Sequence, residues 1–425
     1  MSFTVQTFFN PYLEPDATRI DAVLTVNCKT EGAATVAQTR LAIFMIDCSG
    51  SMFDGKKIES AKHALRRAIA TLPNDVMFCV IAFGNDAHVI VPASPVNANT
   101  KSAADRLVQQ LDNLGGTEMS KALAAARVQA AKFPNAIVWA MFLTDGQNAG
   151  EKGNTLANEI ARCKGAFQCD CRGLGVDWDR AELTRISNAL LGTADVVPAD
   201  PKAIENDFKA ALASALAKSV GGVTMELWMP TTSKLVSLRQ KQPEDIDILP
   251  LAVAKTDRIR SIDIGSWGNE TRDYHAVFEV EAGAIDDEMR VCRPYVVTHA
   301  ADGSEVKAPG EPIVAIWNAD AGNTARINPE VAHYTGQAEI SASIEEGMKA
   351  RSRGNEQAAT RLLGRAAQLA AESGNEEVTR RLNKVVDVVD AAQGTVRLRK
   401  NVSQVEELEL EMGGTRTVRR QPVSK

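Results

Sequence analysis

A chain of 425 residues that is 44% hydrophobic has enough apolar material for two or three domains with their own cores, which argues against disorder except at the ends. Its 54 acidic and 48 basic residues give a formal charge of -6 and form no long block of either sign. With no basic stripe interleaved with aromatics, nucleic acid is not an expected partner, and no run approaches the roughly 18 apolar residues of a membrane span.

Met1 to Leu13 holds Phe3, Val5, Phe8 and Phe9 but no Lys, no Arg and no continuous apolar stretch, so no signal peptide is expected there. Ala22 to Val26 reads as a strand. From Arg40 to Val220 apolar runs alternate with helical periodicities, the pattern of a layered α/β domain. The first run, Leu41 to Ile46, suits a strand buried on both faces and ends at Asp47. Ile58, Ala61, Leu65, Ala68 and Leu72 then recur every three or four residues, which predicts a helix over Lys57 to Leu72. Val76 to Phe83 and Ala87 to Val91 are joined by only Gly84-Asn85-Asp86, so they make a hairpin and one antiparallel edge. Helices are expected near Thr100 to Leu111 and Glu118 to Phe133, a strand over Ala136 to Thr144, and a closing helix over Ile204 to Val220. The fold class is a doubly wound α/β sheet, with ligand chemistry expected beyond the carboxyl ends of its strands.

Gly222 to Val314 shows short alternating segments separated by Gly, Pro, Asn and Asp, which predicts an antiparallel β-sandwich. From Asn328 the chain turns helical: Leu362, Ala366 and Leu369 mark one helix, and Val378, Leu382, Val385, Val386 and Val389 mark another. The expected organisation is 1–37 as N-terminal strands of the sandwich, 38–220 as the α/β domain, 221–318 as the sandwich, 328–392 as a helical hairpin or bundle, and 393–425 as a flexible tail. Pairing of the first segment with the third leaves the α/β domain inserted in the sandwich.

The chemistry gathers at the ends of strands. Asp47-Cys48-Ser49-Gly50-Ser51 follows the first strand and opens the first helix, presenting one carboxylate and two hydroxyls beside the N–H groups of a helix start. Gly115-Gly116-Thr117 precedes another helix, and Asp145 ends the strand from Trp139, so Thr117 and Asp145 are expected at the same lip of the sheet. Five hard oxygen donors suit a small cation of near-octahedral geometry at about 2.0 to 2.1 Å, Mg²⁺ or Mn²⁺ ahead of Ca²⁺. Two carboxylates against a doubly charged ion leave room for one more anionic ligand, for which a partner protein's Asp or Glu is the natural candidate. Helix capping is the competing explanation for Asp47 and Ser49, but it accounts for one or two positions and not for five.

In this order and on these elements, Asp47, Ser49, Ser51, Thr117 and Asp145 resemble the complete metal-ion-dependent adhesion site (MIDAS) of the von Willebrand factor type A (VWA) family. The resemblance covers Arg40 to Val220 and implies a metal-dependent protein-binding module. An enzyme is not expected: His63, His88, His275, His299 and His333 are scattered, Ser49 lies in no Gly-x-Ser-x-Gly elbow, and Gly55-Lys56-Lys57 lacks the spacing of a phosphate loop. Cys163, Cys169 and Cys171 could suggest zinc, yet no His lies nearby and the Cys-x2-Cys knuckle is absent, so they are read as buried thiols. Seven reduced cysteines, an odd number in a large chain, point to the cytoplasm.

Near the end, Thr415 and Thr417 stand between an acidic run (Glu406, Glu407, Glu409, Glu411) and the basic Arg416, Arg419 and Arg420, a pattern open to phosphorylation or to a plain solvated tail. The layout resembles actinobacterial VWA proteins associated with Ser/Thr kinases, PP2C-type phosphatases and tellurium-resistance or stress gene sets, and this implies a forkhead-associated domain as a reader of phosphothreonine. Two alternatives stay open: a kinase-substrate scaffold that acts through its tail, and a subunit of an ATPase or metal-chelation complex.

Overall fold

The run Leu41 to Ile46 carries no polar side chain, and a strand walled on both faces buries it without penalty. In the computed structural model, which describes residues 2–29, 38–300, 302–414 and 419, that strand (β1, Arg40–Asp47) lies inside a six-stranded sheet. The other strands of this sheet are β2 (Val76–Phe83), β3 (Ala87–Pro95), β4 (Ile137–Thr144), β5 (Gln168–Leu174) and β6 (Ala194–Val197). Their order is β3-β2-β1-β4-β5-β6, parallel throughout except for β3, which pairs antiparallel with β2 at the edge as the tight Gly84-Asn85-Asp86 link requires.

Helices cover the sheet. They are α1 (Gly50–Phe53), α2 (Lys57–Thr71), α3 (Ala98–Gln109), α4 (Met119–Ala130), α5 (Thr155–Cys163), α6 (Arg180–Ala189) and α7 (Pro201–Leu216). Alternation along β1 sends Phe44 and Ile46 into one core with Ile58, Leu65 and Phe208. The Phe44 ring meets Trp139 edge-on at 6.0 Å and stacks against Phe208 at 6.5 Å. Truncating Phe44 to Ala would cost about 3 to 5 kcal/mol, mostly through the cavity left between sheet and helices. The helix starts follow local rules: Asn97 and Thr100 close a capping box on α3, and Asp200 caps α7 with Pro201 at its first position.

Of the described residues, 38–222 with Gly265–Gly268 form one compact unit, and the others form a second. Among its described residues the second unit contains two larger sheets and a two-stranded one. One of the larger sheets has the order 2–9, 19–29, 270–280, 233–242 and 246–247, all antiparallel, and strand 19–29 is buried along most of its length. The other runs 252–256, 259–263, 224–228, 288–299, 313–317 and 12–13, antiparallel but for its last pair, with 305–309 added on 288–299. In the central strand 224–228, Met225, Glu226 and Leu227 are all buried, while Thr224 and Trp228 at its two ends remain partly exposed.

Helices Pro329–Ser352, Glu356–Ser373 and Glu376–Val385 follow, and two expectations need correction here. Val386 and Val389 do not continue the last helix; Val386–Asp390 is a strand paired with Thr395–Leu398. A β-branched run suits the pleated chain better than a helix, and the hairpin turns through Gly394 at φ +62°, whose carbonyl lies so close to Gly364 that a Cβ there would meet it at 2.1 Å. Nor is the stretch after 393 wholly a flexible tail. Gln404–Gly413 is a helix, opened by a reciprocal capping box between Ser403 and Glu406, and Leu410 joins the core of Ile340, Leu363 and Leu382. Thr415 and Thr417 lie outside the described residues. Among the described residues no helix is long and apolar enough to cross a membrane.

Candidate metal centre

Strands β1 and β4 run parallel with Ile46 opposite Leu143, so their ends release Asp47 and Thr144-Asp145 side by side. Past Asp47 the chain turns at once: Ser49 is extended at the N-cap position of α1, where its side chain makes no capping hydrogen bond, while its backbone N–H donates back to Asp47 Oδ1 at 2.7 Å. Three loops are stitched there by their own backbones. Leu114 N–H donates to the Cys48 carbonyl at 2.8 Å, Gly50 N–H to that of Gly115 at 2.8 Å, and Glu118 N–H to that of Gly84 at 2.8 Å. Two glycines permit this approach, because a Cβ on Gly84 would stand 2.5 Å from Leu114 Cβ and Gly115 sits at φ +88°.

The side chains converge at that point. The Ser51 hydroxyl donates to Asp145 Oδ1 at 2.7 Å, and the Ser49 and Ser51 hydroxyl oxygens are 3.2 Å apart. Asp47 Oδ2 accepts from the Thr144 hydroxyl at 2.5 Å. Thr117 faces the same spot: a Cβ built on Gly146 would lie 3.4 Å from Thr117 Oγ1 and 3.5 Å from Ser51 Oγ. The structure thus brings Asp47, Ser49, Ser51, Thr117 and Asp145 together. Asp47 and Asp145 are both fully buried, and Ser51 is partly exposed at the mouth.

Burial pushes the Asp47 carboxyl up to about 6, and the neighbouring charge of Asp145 adds to this, while the hydrogen bonds from Thr144 and Ser49 work against it. Two carboxylates crowded in a dry site call for positive charge, and the protein itself supplies some. Lys57, the first residue of α2, places its ammonium 2.7 Å from Asp145 Oδ2 and 3.6 Å from Asp177. Sequence reading missed both Lys57 and Thr144. The register of β1 and β4 could have flagged Thr144 as the residue beside Asp47, whereas nothing sets Lys57 apart from an ordinary helix-start lysine.

Two carboxylates and three hydroxyls are hard oxygen donors of the kind that Mg²⁺ and Mn²⁺ prefer, and a cation already rests against one of the carboxylates, so the residues fit a divalent ion. The cysteines offer no comparable centre. Cys163, Cys169 and Cys171 are fully buried, and burial pushes the Cys163 thiol up to about 12 and that of Cys169 well above its ordinary value.

Residues 42–196, which include all five site residues, match the family described as von Willebrand factor type A domain, and residues 368–414 match the one described as von Willebrand factor type A C-terminal domain. Over 98% of its length the chain is 35% identical to a solved von Willebrand factor type A protein from Catenulispora acidiphila, covering 97% of that chain at a TM-score of 0.89. The chain belongs to the von Willebrand factor type A family. The VWA fold recurs at lower identity in the ArnB paralog VWA2 from Sulfolobus acidocaldarius, 15% identical with 97% of each chain covered and a TM-score of 0.58. It recurs again in the human COPII-coat protein Sec24c, at 8% identity and a TM-score of 0.51 over 90% of this chain and 58% of that one. No curated protein matches this VWA sequence. VWA domains are in general protein-interaction modules, and the six-stranded sheet of this chain is the one that carries the site.

Proposed function

We propose that the chain is a metal-dependent protein-binding module, not an enzyme, in which Asp47, Ser49, Ser51, Thr117 and Asp145 hold Mg²⁺ or Mn²⁺ and a partner's Asp or Glu completes the coordination. The observation that carries this reading is the convergence of five oxygen-bearing side chains at one lip of the sheet, with Ser51 Oγ on Asp145 and Thr117 Oγ1 within 3.4 Å of the point that a Gly146 Cβ would occupy. Ser49, Ser51 and Thr117 would ligate through their hydroxyls, and Asp47 and Asp145 would balance the charge. Five side chains leave an octahedral ion short of a ligand. A bound ion would supply a Lewis-acidic position that an anionic side chain can fill.

The five residues lie at the end of β1, at the start of α1 and on the adjoining loops, which backbone hydrogen bonds hold together, and a site formed in advance of its partner favours affinity. The seven buried thiols favour a cytoplasmic location. The resemblance of the layout to actinobacterial VWA proteins favours a role in bacterial stress or kinase signalling, with Ser/Thr kinases, PP2C-type phosphatases or forkhead-associated domain proteins as candidate partners. We also propose that the α/β domain, 38–220, is an insertion between the N-terminal strands, 1–37, and the rest of the sandwich, 221–318.

The test is partner capture from lysate of the native host, with the wild-type chain and its Ser51→Ala and Asp145→Ala variants, each in Mg²⁺ and in EDTA. Circular dichroism would verify that the variants are folded. Proteins retained by wild type in Mg²⁺ and lost in EDTA and in both variants support the reading. A retained set identical in all conditions contradicts it.

A further inference from the structure

Lys57 stands where the electrostatics of the site are decided. Asp145 is fully buried, its Oδ1 accepts from Ser51, and its Oδ2 meets the Lys57 ammonium at 2.7 Å. The lysine side chain is itself largely covered, with 18% of its surface exposed, so its charge is poorly screened. A second carboxylate is within reach: Asp177, on the segment after β5, lies 3.6 Å from the same nitrogen and is 70% exposed. The ammonium is therefore flanked by a buried carboxylate inside the site and a solvated one at its edge. Lys57 opens α2 directly after the turn at Gly55 (φ +61°), and its ammonium lies between the two acceptors.

From this geometry we infer that Lys57 is a tethered counter-ion that competes with the divalent cation for Asp145, and that Asp177 is the acceptor to which its ammonium retreats when metal binds. The inference rests on the metal reading above. In the metal-free state the ammonium neutralises Asp145 and spares the protein an unpaired buried charge. In the metal-bound state the same ammonium beside a doubly charged ion is repulsive, and its move toward Asp177 relieves the conflict while the total charge is unchanged. The consequence is a metal affinity set below what five oxygen donors alone would give, so that occupancy answers to the supply of the ion and to a partner carboxylate arriving with it.

The experiment measures binding of Mn²⁺ by electron paramagnetic resonance, with Mg²⁺ as competitor, on the full chain and on Lys57→Met, Lys57→Gln, Lys57→Arg, Asp177→Asn and Ser51→Ala. Thermal unfolding of each is followed in EDTA and in Mg²⁺. Lys57→Met and Lys57→Gln should bind Mn²⁺ about tenfold tighter or more, Lys57→Arg should bind no tighter than wild type, and Asp177→Asn should weaken binding about threefold. In EDTA the two neutral variants should melt below wild type, and Mg²⁺ should raise their melting temperature by more than it raises that of wild type. Mn²⁺ binding by Lys57→Met but not by wild type would support the inference in its strongest form. Binding by wild type that Ser51→Ala abolishes and the neutral Lys57 variants leave unchanged or weaker would overturn the role of Lys57 and leave the metal reading standing. Absence of binding in wild type and in both neutral variants would overturn both.

Discussion

The hydroxyl of Thr144 donates to the Oδ2 atom of Asp47 at 2.5 Å, linking the ends of the two strands on which the site is built. Asp47 is fully buried and is also hydrogen-bonded by the backbone N–H and the side chain of Ser49, so Thr144 is one of a small set of neutral donors that reach it. Thr144→Val keeps the side-chain shape and removes the donor. It should lower the unfolding free energy by about 1 to 3 kcal/mol, the cost of stranding a buried acceptor, as read from urea denaturation. A change under a few tenths would mean that water replaces the hydroxyl freely.

Gly146 follows Asp145 and leaves the mouth of the site open. A methyl group there would sit in ordinary van der Waals contact with Thr117 Oγ1 at 3.4 Å and Ser51 Oγ at 3.5 Å, so Gly146→Ala should fold normally. The same methyl covers the two hydroxyls on the side where an ion would be held, and Mg²⁺ affinity measured by calorimetry should fall at least about tenfold with the melting temperature of the metal-free protein nearly unchanged. Unaltered affinity would place the ion elsewhere.

Much of this arrangement is legible in the sequence, for reasons that can be named. Leu41 to Ile46 is uninterrupted and ends at Asp47, the spacing of Ile58, Ala61, Leu65 and Ala68 is that of one helix face, and three residues between two strands force a hairpin; such local signals identify the fold class and the lip where five oxygen donors gather. Signals that depend on distant partners are harder to read. The Val385 to Val389 run has apolar residues at both helical and strand spacings, and what decides it is the pairing with Thr395–Leu398 and the close pass of Gly394 over Gly364. The charge of Glu406 to Glu411 disguised a helix whose Ser403-x-x-Glu406 capping signature was present, and whose Leu410 and Met412 are buried. Lys57 carries no sequence mark at all, since its role arises only when the turn after β4 brings Asp145 to it.

In the second unit Glu226 is 2% exposed and accepts from Lys255 and Lys307, each at 2.6 Å. Burial alone would raise its carboxyl, but the two ammonium groups outweigh burial and hold it below the ordinary range. A carboxylate whose folded pKa is depressed adds stability above its unfolded pKa of about 4.3, and this stability is lost as pH falls through the folded value. Glu226→Gln should therefore destabilise by about 1 to 3 kcal/mol at neutral pH, with the gap to wild type narrowing steadily below about pH 4. Urea midpoints taken across that range provide the check, and a gap that widened in acid would refute the assignment.

Arg419 reaches the buried carboxylate of Asp273 at 3.3 Å, where Thr25 and Tyr334 also donate their hydroxyls. The guanidinium is half exposed and its partner is not, so among the described residues its removal leaves the buried carboxylate with the hydroxyls of Thr25 and Tyr334. Arg419→Ala should cost about 1 to 2 kcal/mol in urea unfolding, and Arg419→Lys should recover part of it. Equal stability of all three chains would show that the pair contributes nothing.

The most direct test of the metal centre is an anomalous difference map from crystals of the full chain grown or soaked in Mn²⁺, with Ser51→Ala crystals as the comparison. The account predicts a strong peak enclosed by Ser49, Ser51, Thr117 and Asp145 in the wild type, lost or sharply reduced in the variant. A peak anywhere else, or none at this site with the ion at saturating concentration, would contradict it.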